Sequence, residues 1–247
     1  SSLFDGAIVW LIYADRLAQL PIALIGVALN VVTLPKLSSL KKKGKRIEGN
    51  SYLNRSMQLS LIFGLPASVG LIYLNSEITS SLFQRGSFSV NDAVQTSKAL
   101  SLYSLSIIPI SLQMLLINFY FAEKNIRIPF YYSLASVFLN VSFAYALIGR
   151  FEFLAPPVAY SITNWLVFIS LVYHSHQFGF YFNRAFKMAL PRIMLSSGVM
   201  LILLIFMKTT TFQYFSDQNL TILWLGVVIS ISGISYFACL KFLGILN

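Results

Sequence analysis

Seven long apolar segments, separated by short polar stretches, constrain this chain more than any other feature of its sequence. They cover residues 6–34, 57–74, 99–121, 130–148, 155–173, 189–207 and 220–243. A bilayer core about 30 Å thick takes about 20 helical residues, so each segment is suited to cross a membrane. Only 11% of the residues are charged, whereas soluble domains have about 25%. We therefore predict an all-α integral membrane protein with about seven transmembrane helices, forming one polytopic membrane domain over residues 1–247.

The basic residues concentrate in alternate loops, which predicts the orientation of the chain. One set contains Lys36, Lys41, Lys42, Lys43, Lys45, Arg46, Arg55, Lys124, Arg127, Arg184, Lys187, Arg192 and Lys241, and the other only Arg85, Lys98, Arg150 and Lys208. The positive-inside rule places the first set in the cytoplasm, so the chain begins outside and ends inside. The net charge of +10 is thus a topology signal, and we predict no nucleic-acid partner. An odd number of spans with an exterior start also suggests a missing N-terminal part.

Asp15 and Arg16 stand inside the first apolar segment, where a charge costs roughly 2.5–3.5 kcal/mol by insertion scales. Such residues usually face a bundle interior or a water-filled cavity. At the helical period Arg16 shares a face with Leu20, Ala23, Val27 and Asn30, and Gln19 borders that face. We predict that Arg16 contacts an anionic substrate, with Asp15, Gln19 and Asn30 as the other cavity residues. The alternatives are a structural ion pair with Asp15 or a neighbouring helix, or snorkelling to the outer interface.

Signals of catalysis are poor. The expected outer loop at residues 76–98 offers only Glu77 and Asp92, and no paired carboxylates mark an active site. His174-Ser175-His176 has no third metal ligand nearby in the sequence, and Cys239 reads as a small core residue. We therefore predict that the protein is not an enzyme and that it has no catalytic residue, no metal site and no cofactor. The basic run at residues 41–46 is either a binding site for anionic lipid headgroups or a topology determinant.

Several motifs together resemble the MurJ/MviN lipid II flippases, and the likeness is strongest between residues 7 and 129. They are Tyr13-Ala14-Asp15-Arg16-Leu17, Gln19-Leu20-Pro21, Gly26-Val27-Ala28-Leu29, Leu34-Pro35-Lys36-Leu37-Ser38, Leu65-Pro66-Ala67-Ser68-Val69-Gly70-Leu71, Leu82-Phe83-Gln84-Arg85-Gly86-Ser87-Phe88, Phe119-Tyr120-Phe121-Ala122 and Ile126-Arg127-Ile128-Pro129.

The resemblance implies a lobe of a larger fold. That family, within the multidrug/oligosaccharidyl-lipid/polysaccharide exporter superfamily, has fourteen transmembrane helices in two lobes around a cationic cavity. This chain would match helices eight to fourteen, with the N-terminal lobe missing. The family's cavity arginine of the eighth helix would correspond to Arg16 and the preceding aspartate to Asp15. Gln19 stands where the family often has an acidic residue.

The implied function is translocation of the undecaprenyl-diphosphate-linked peptidoglycan precursor across the bacterial cytoplasmic (inner) membrane by alternating access. Three alternatives stay open at this point. The first is a flippase for another lipid-linked oligosaccharide, the second a membrane-embedded transferase, and the third a non-transporting membrane scaffold or half-protein. A transferase would need a catalytic carboxylate or metal cluster in a loop.

Overall fold

A computed structural model describes residues 6–211 and 218–245, which are helical with short connections and contain no strand. A π-helical segment, Ile22–Val27, joins the first two helices, and a 3-10 turn, Glu152–Leu154, joins the seventh and eighth. The helices are α1 (Ala7–Pro21), α2 (Ala28–Lys42), α3 (Arg46–Tyr73), α4 (Asn75–Phe83), α5 (Val90–Ser104), α6 (Ile107–Ala122), α7 (Arg127–Phe151), α8 (Ala155–Gln177), α9 (Arg184–Thr211) and α10 (Gln218–Phe242).

Six continuous helical stretches of the described chain are long and apolar enough to cross a membrane, and one of them is a hairpin. This stretch, Arg127–Gln177, has 51 residues, far more than the roughly 20 that a bilayer requires. The chain reverses at Glu152, whose φ is 51°. The Tyr132 hydroxyl of α7 donates to the carbonyl of Ser170 on α8 at 3.3 Å, as an antiparallel pair requires. Counting α7 and α8 separately confirms the seven predicted spans.

The helix ends gather on two opposite faces of the bundle. On one face Lys41 at the end of α2 pairs with Glu123 beyond α6, and Asn50 on α3 donates to the carbonyl of Tyr181 after α8 at 2.8 Å. On the other face Trp10 donates through Nε1 to Asp92 at 2.7 Å. The loops therefore alternate as their charges predicted. Which face is cytoplasmic stays a prediction of the positive-inside rule.

Two predicted boundaries are wrong because polar residues that looked like loop are helical. The second span begins at Arg46 instead of residue 57, since Asn50 and Asn54 are buried and bind the backbone around Tyr181. The expected outer loop contains α4 and the start of α5. Ser89 and Asp92 form a reciprocal capping box that begins α5 nine residues before the apolar segment.

The central helices are α3 and α6, which share the main hydrophobic core with α8, α9 and α10. Tyr120 and Tyr236 are fully buried there, and each hydroxyl donates to a carbonyl of another helix. A smaller core joins α1 to α5 through Ala14, Leu17 and Leu100. This second core fixes the orientation of α1, and therefore of its charged pair.

Candidate functional site

Arg16 lies on the exposed side of α1, nine residues beyond the helix start at Ala7. At 1.5 Å per residue this is roughly 14 Å along the helix axis. No ion pair joins its guanidinium to a carboxylate in the described part of the chain. The neighbours along the same side, Leu20, Ala23 and Val27, are exposed too. The arginine thus belongs to an apolar face that the described residues leave uncovered, and the guanidinium is available to an anion.

Asp15 points away from that face and binds Gln19. Its side chain is partly buried, and Gln19 Nε2 donates a hydrogen bond to Asp15 Oδ2 one helical turn away. Asp15 and Arg16 form no ion pair within 4 Å, because adjacent residues on a helix differ by about 100° in direction. Gln19 itself is exposed beside Arg16. Three of the four predicted cavity residues are therefore neighbours on α1, and Gln19 is hydrogen-bonded to Asp15.

Asn30 does not continue the exposed face. It is partly buried, and its backbone carbonyl accepts a hydrogen bond from Asn118 Nδ2 of α6 at 3.0 Å. The cause is the π-helical segment Ile22–Val27, which contains more residues per turn than an α-helix and rotates everything after it. Pro21 immediately precedes this segment and lacks the N–H that a regular helix would use. A uniform helical period therefore placed Asn30 on the wrong face, and its role in substrate binding stays a prediction.

The buried side of Asp15 faces polar residues that sequence reasoning did not connect. Tyr103 of α5 and Tyr160 of α8 lie close enough to interact electrostatically with Asp15, and their rings are 5.7 Å apart. Asn164 Nδ2 donates to the Tyr160 carbonyl at 2.8 Å, and Gln113 Nε2 of α6 donates to the Asn164 carbonyl at 2.7 Å. Four helices thus meet in one polar cluster. Polar residues within apolar spans signalled it, but their partners depend on tertiary packing.

The residues considered for chemistry have structural partners. Within the described chain, no three His, Cys, Asp or Glu side chains are grouped closely enough to hold a metal ion. His174 packs against the rings of Tyr120 and Phe178, while His176 Nδ1 lies 2.8 Å from the carbonyl of Phe180. Glu77, expected in a loop, is buried and paired with Lys208 of α9. Its partner is 131 residues away in sequence, so no local pattern predicted the pair.

The family model for the lipid II flippase MurJ matches residues 1–225, most of the chain. The chain belongs to this family. A "Probable lipid II flippase MurJ" from Buchnera aphidicola subsp. Schizaphis graminum is 32% identical over 99% of the chain and 48% of that relative. One from Rickettsia prowazekii is 26% identical over the whole chain and 49% of that relative. The chain spans about half the length of the curated relatives it matches.

A solved structure of the same family has the same fold. "Lipid II flippase MurJ, inward closed conformation" aligns with a TM-score of 0.77 and 25% sequence identity. The alignment covers 97% of this chain and 49% of the solved chain. The all-α membrane fold predicted from the sequence is therefore confirmed, as is the family resemblance. The family model and the curated relatives are named as lipid II flippases, and the chain is a multi-pass membrane protein.

Proposed function

We propose that the protein translocates the undecaprenyl-diphosphate-linked peptidoglycan precursor, lipid II, across the bacterial inner membrane. The observation that carries this proposal is the exposed guanidinium of Arg16 at membrane depth, which has no ion pair among the described residues, in a chain of the MurJ family. A permanent charge there is expensive unless it faces a cavity or a ligand. A diphosphate is a suitable ligand because guanidinium presents a planar fork of donors to phosphate oxygens.

The second part of the proposal concerns the uncovered face of α1. Leu20 and Val27 are 58% and 44% exposed beside Arg16. A charge and an apolar strip on one helix suit a ligand with a diphosphate and a long hydrocarbon tail. We infer that the full transporter completes this face with a second lobe, and that this chain supplies helices eight to fourteen. Half the length of the family's curated relatives is available for the other lobe.

Transport then requires two arrangements of the bundle and no covalent step. The helix that bears Arg16 is interrupted by the π-helical segment Ile22–Val27 directly after Pro21. Interrupted helices near a midplane site are common in transporters that alternate access between two faces. We propose that this segment lets the outer half of the helix, with Arg16, tilt relative to α2. The bound diphosphate would then be accessible first from one membrane face and afterwards from the other.

The test is complementation of a strain depleted of its own lipid II flippase by the full-length gene. Arg16→Ala should abolish growth, and Arg16→Lys should retain part of it, because ammonium keeps the charge but not the bidentate fork. Loss of one charged hydrogen bond is worth roughly 1.5–3 kcal/mol, about ten- to a hundredfold in affinity. Arg150→Ala removes an exposed arginine at the far end of α7 and is the matched control.

Two readouts separate the transport proposal from the site proposal. Membrane abundance of each variant is measured by immunoblot, and externally accessible precursor is measured in the same cells. Normal growth with well-expressed Arg16→Ala would remove Arg16 from the substrate site while leaving transport intact. Failure of the unsubstituted protein to raise the externally accessible precursor would overturn the transport proposal itself.

A further inference from the structure

A small pocket lies at the membrane face that the charge pattern assigns to the cytoplasm. It is formed where the end of α2, the start of α3, the end of α6 and the segment after α8 meet, and its volume is about 80 Å³. A cavity of about 10–15 Å³ is enough for one water molecule, so this pocket is large enough for a group the size of a phosphate. Leu37, Phe119 and Phe178 form its apolar wall, and Lys41, Lys45 and Arg46 its cationic wall.

The cations around this pocket outnumber its carboxylates. Lys41 pairs with Glu123, and Lys45 pairs with Glu48 at 2.8 Å on the exposed surface. Arg46 has no carboxylate partner among the described residues, and it repels Lys41 electrostatically, as does Lys124. Like charges held this close are destabilising unless an anion sits between them. The pocket therefore carries the positive charge of Arg46, which no carboxylate among the described residues neutralises.

The backbone adds to this positive field. Helix α3 begins at Arg46 with no side-chain cap, and its residues Arg46, Gly49 and Asn50 line the pocket. The N–H groups of Arg46 and Gly49 donate to the carbonyls of Gly44 and Lys45. The start of a helix carries a partial positive charge, which favours anions such as phosphate. The side chains and the helix end thus act in the same direction.

We propose that this pocket binds the phosphate group of an anionic membrane lipid, with Glu123 as an internal competitor for Lys41. A lipid is favoured over a free phosphate because the cations stand directly beside the apolar wall of Leu37, Phe119 and Phe178, which a lipid chain can contact and a free phosphate cannot use. Headgroup phosphate would bridge Lys41 and Arg46, and the lipid chain would lie against Phe119 and Phe178. The site is separate from Arg16 and independent of the proposed transport activity.

Binding of phosphatidylglycerol to the purified protein in a neutral detergent, measured by native mass spectrometry, tests this site. Lys41→Gln together with Arg46→Gln should weaken binding about tenfold or more, since two charged contacts are lost. The control is Arg184→Gln together with Lys187→Gln, which removes two exposed charges from the same face outside the pocket. Equal losses in both double variants would show diffuse attraction only and overturn the proposal.

Glu123→Gln should change the affinity for phosphatidylglycerol in the opposite direction. It frees Lys41 and removes the competing carboxylate, so phosphatidylglycerol should bind about five- to tenfold more tightly. A purely structural Lys41–Glu123 pair predicts unchanged or weaker binding, which would contradict the proposal even if the double variant failed to fold. A large excess of inorganic phosphate should not displace the lipid. Displacement by inorganic phosphate would show a site for soluble anions and overturn the lipid assignment.

Discussion

Lys208 Nζ of α9 lies 2.7 Å from Glu77 Oε1 of α4, and it also sits 5.0 Å above the ring of Tyr73. The Glu77 side chain is only 4% exposed and that of Lys208 28%. A short helix between two spans is thereby attached to a distant part of the bundle. The pair lies on the face of the bundle opposite the basic pocket. Trp10 and Asp92 are hydrogen-bonded on that same face.

We expect Glu77→Gln to destabilise the protein by about 2 kcal/mol, because it leaves a partly buried ammonium group without its counter-ion. Lys208→Gln should cost more than Glu77→Gln, since it leaves the almost fully buried Glu77 carboxylate unpaired, whereas the ammonium left by Glu77→Gln is already partly solvated. The double variant should be more stable than the sum of the single effects predicts, because neither charge is then unpaired. Thermal unfolding in detergent measures all three variants. Simple additivity would show that the two groups are not coupled.

The orientation of the bundle is tested by thiol labelling with a membrane-impermeant reagent in a Cys239→Ser background. Ser39 and Ser87 are exposed on opposite faces, and neither side chain makes a described hydrogen bond. Ser87 is preferable to Ser89, whose hydroxyl caps α5. In intact cells, cysteine at position 87 should react and cysteine at position 39 should not, because basic residues mark the cytoplasmic loops. The reverse labelling pattern would invert the topology.

The sequence was sufficient for the number of spans, the alternation of the loops and the family, because these depend on segment length and charge distribution. The sequence did not predict the helix boundaries where local polarity suggests a loop but contacts with distant residues stabilise a helix. Residues 46–56 are polar enough to look like loop, yet Asn50 and Asn54 are satisfied by the backbone near Tyr181 and continue α3. Residues 75–83 form α4, in which the buried Glu77 pairs with Lys208, a partner that no local periodicity reveals.

The candidate site was predictable only within one continuous α-helix. Arg16, Asp15 and Gln19 lie as the helical period indicated, because α1 is regular as far as Pro21. Asn30 lies beyond the π-helical segment, and one changed turn was enough to move it from the exposed face to α6. Tyr103 could not be assigned to the same site, because its proximity to Asp15 depends on how α1 packs against α5.

Asp15→Asn should leave membrane abundance unchanged, because the amide oxygen still accepts the hydrogen bond from Gln19. The lost negative charge should instead raise the affinity of Arg16 for a diphosphate. The gain is about 1 kcal/mol, roughly fivefold, for charges several ångströms apart at a partly solvated surface. Binding of lipid II to the full-length protein measures the affinity, and an immunoblot measures abundance. A fall in abundance would instead indicate that Asp15 is needed for folding.

Lys124 is a non-glycine residue with a left-handed backbone, at φ 56°. It follows α6 in a turn closed by hydrogen bonds from Lys124 N to Phe121 O and from Asn125 N to Tyr120 O, the position where helices usually have glycine. Lys124→Gly should therefore stabilise the protein by about 1 kcal/mol. Lys124→Gln removes the charge and its repulsion of Lys41 but keeps the strained backbone, so it should raise the melting temperature less than Lys124→Gly. If both variants raise it equally, charge repulsion with Lys41 is the cause rather than backbone strain.

Gly26 and Gly64 are both buried helical glycines, and their substitution by alanine should have opposite effects. A Cβ at Gly26 would lie 3.1 Å from Met114 Sδ and 3.3 Å from Ser111 Oγ of α6, whereas a Cβ at Gly64 meets nothing within 4 Å. Gly26→Ala should thus separate the π-helical segment from α6 and cost about 1–2 kcal/mol of stability.

Gly64→Ala should instead stabilise α3 by up to about 1 kcal/mol, because alanine has the higher helix propensity. Thermal unfolding and transport are measured together for both variants. If the π-helical segment carries the movement of Arg16, Gly26→Ala should slow transport by more than its loss of stability explains, while Gly64→Ala should leave transport near normal. Reduced transport in Gly64→Ala with normal transport in Gly26→Ala would place the hinge at the Gly64-Leu65-Pro66 turn of α3 rather than in Ile22–Val27.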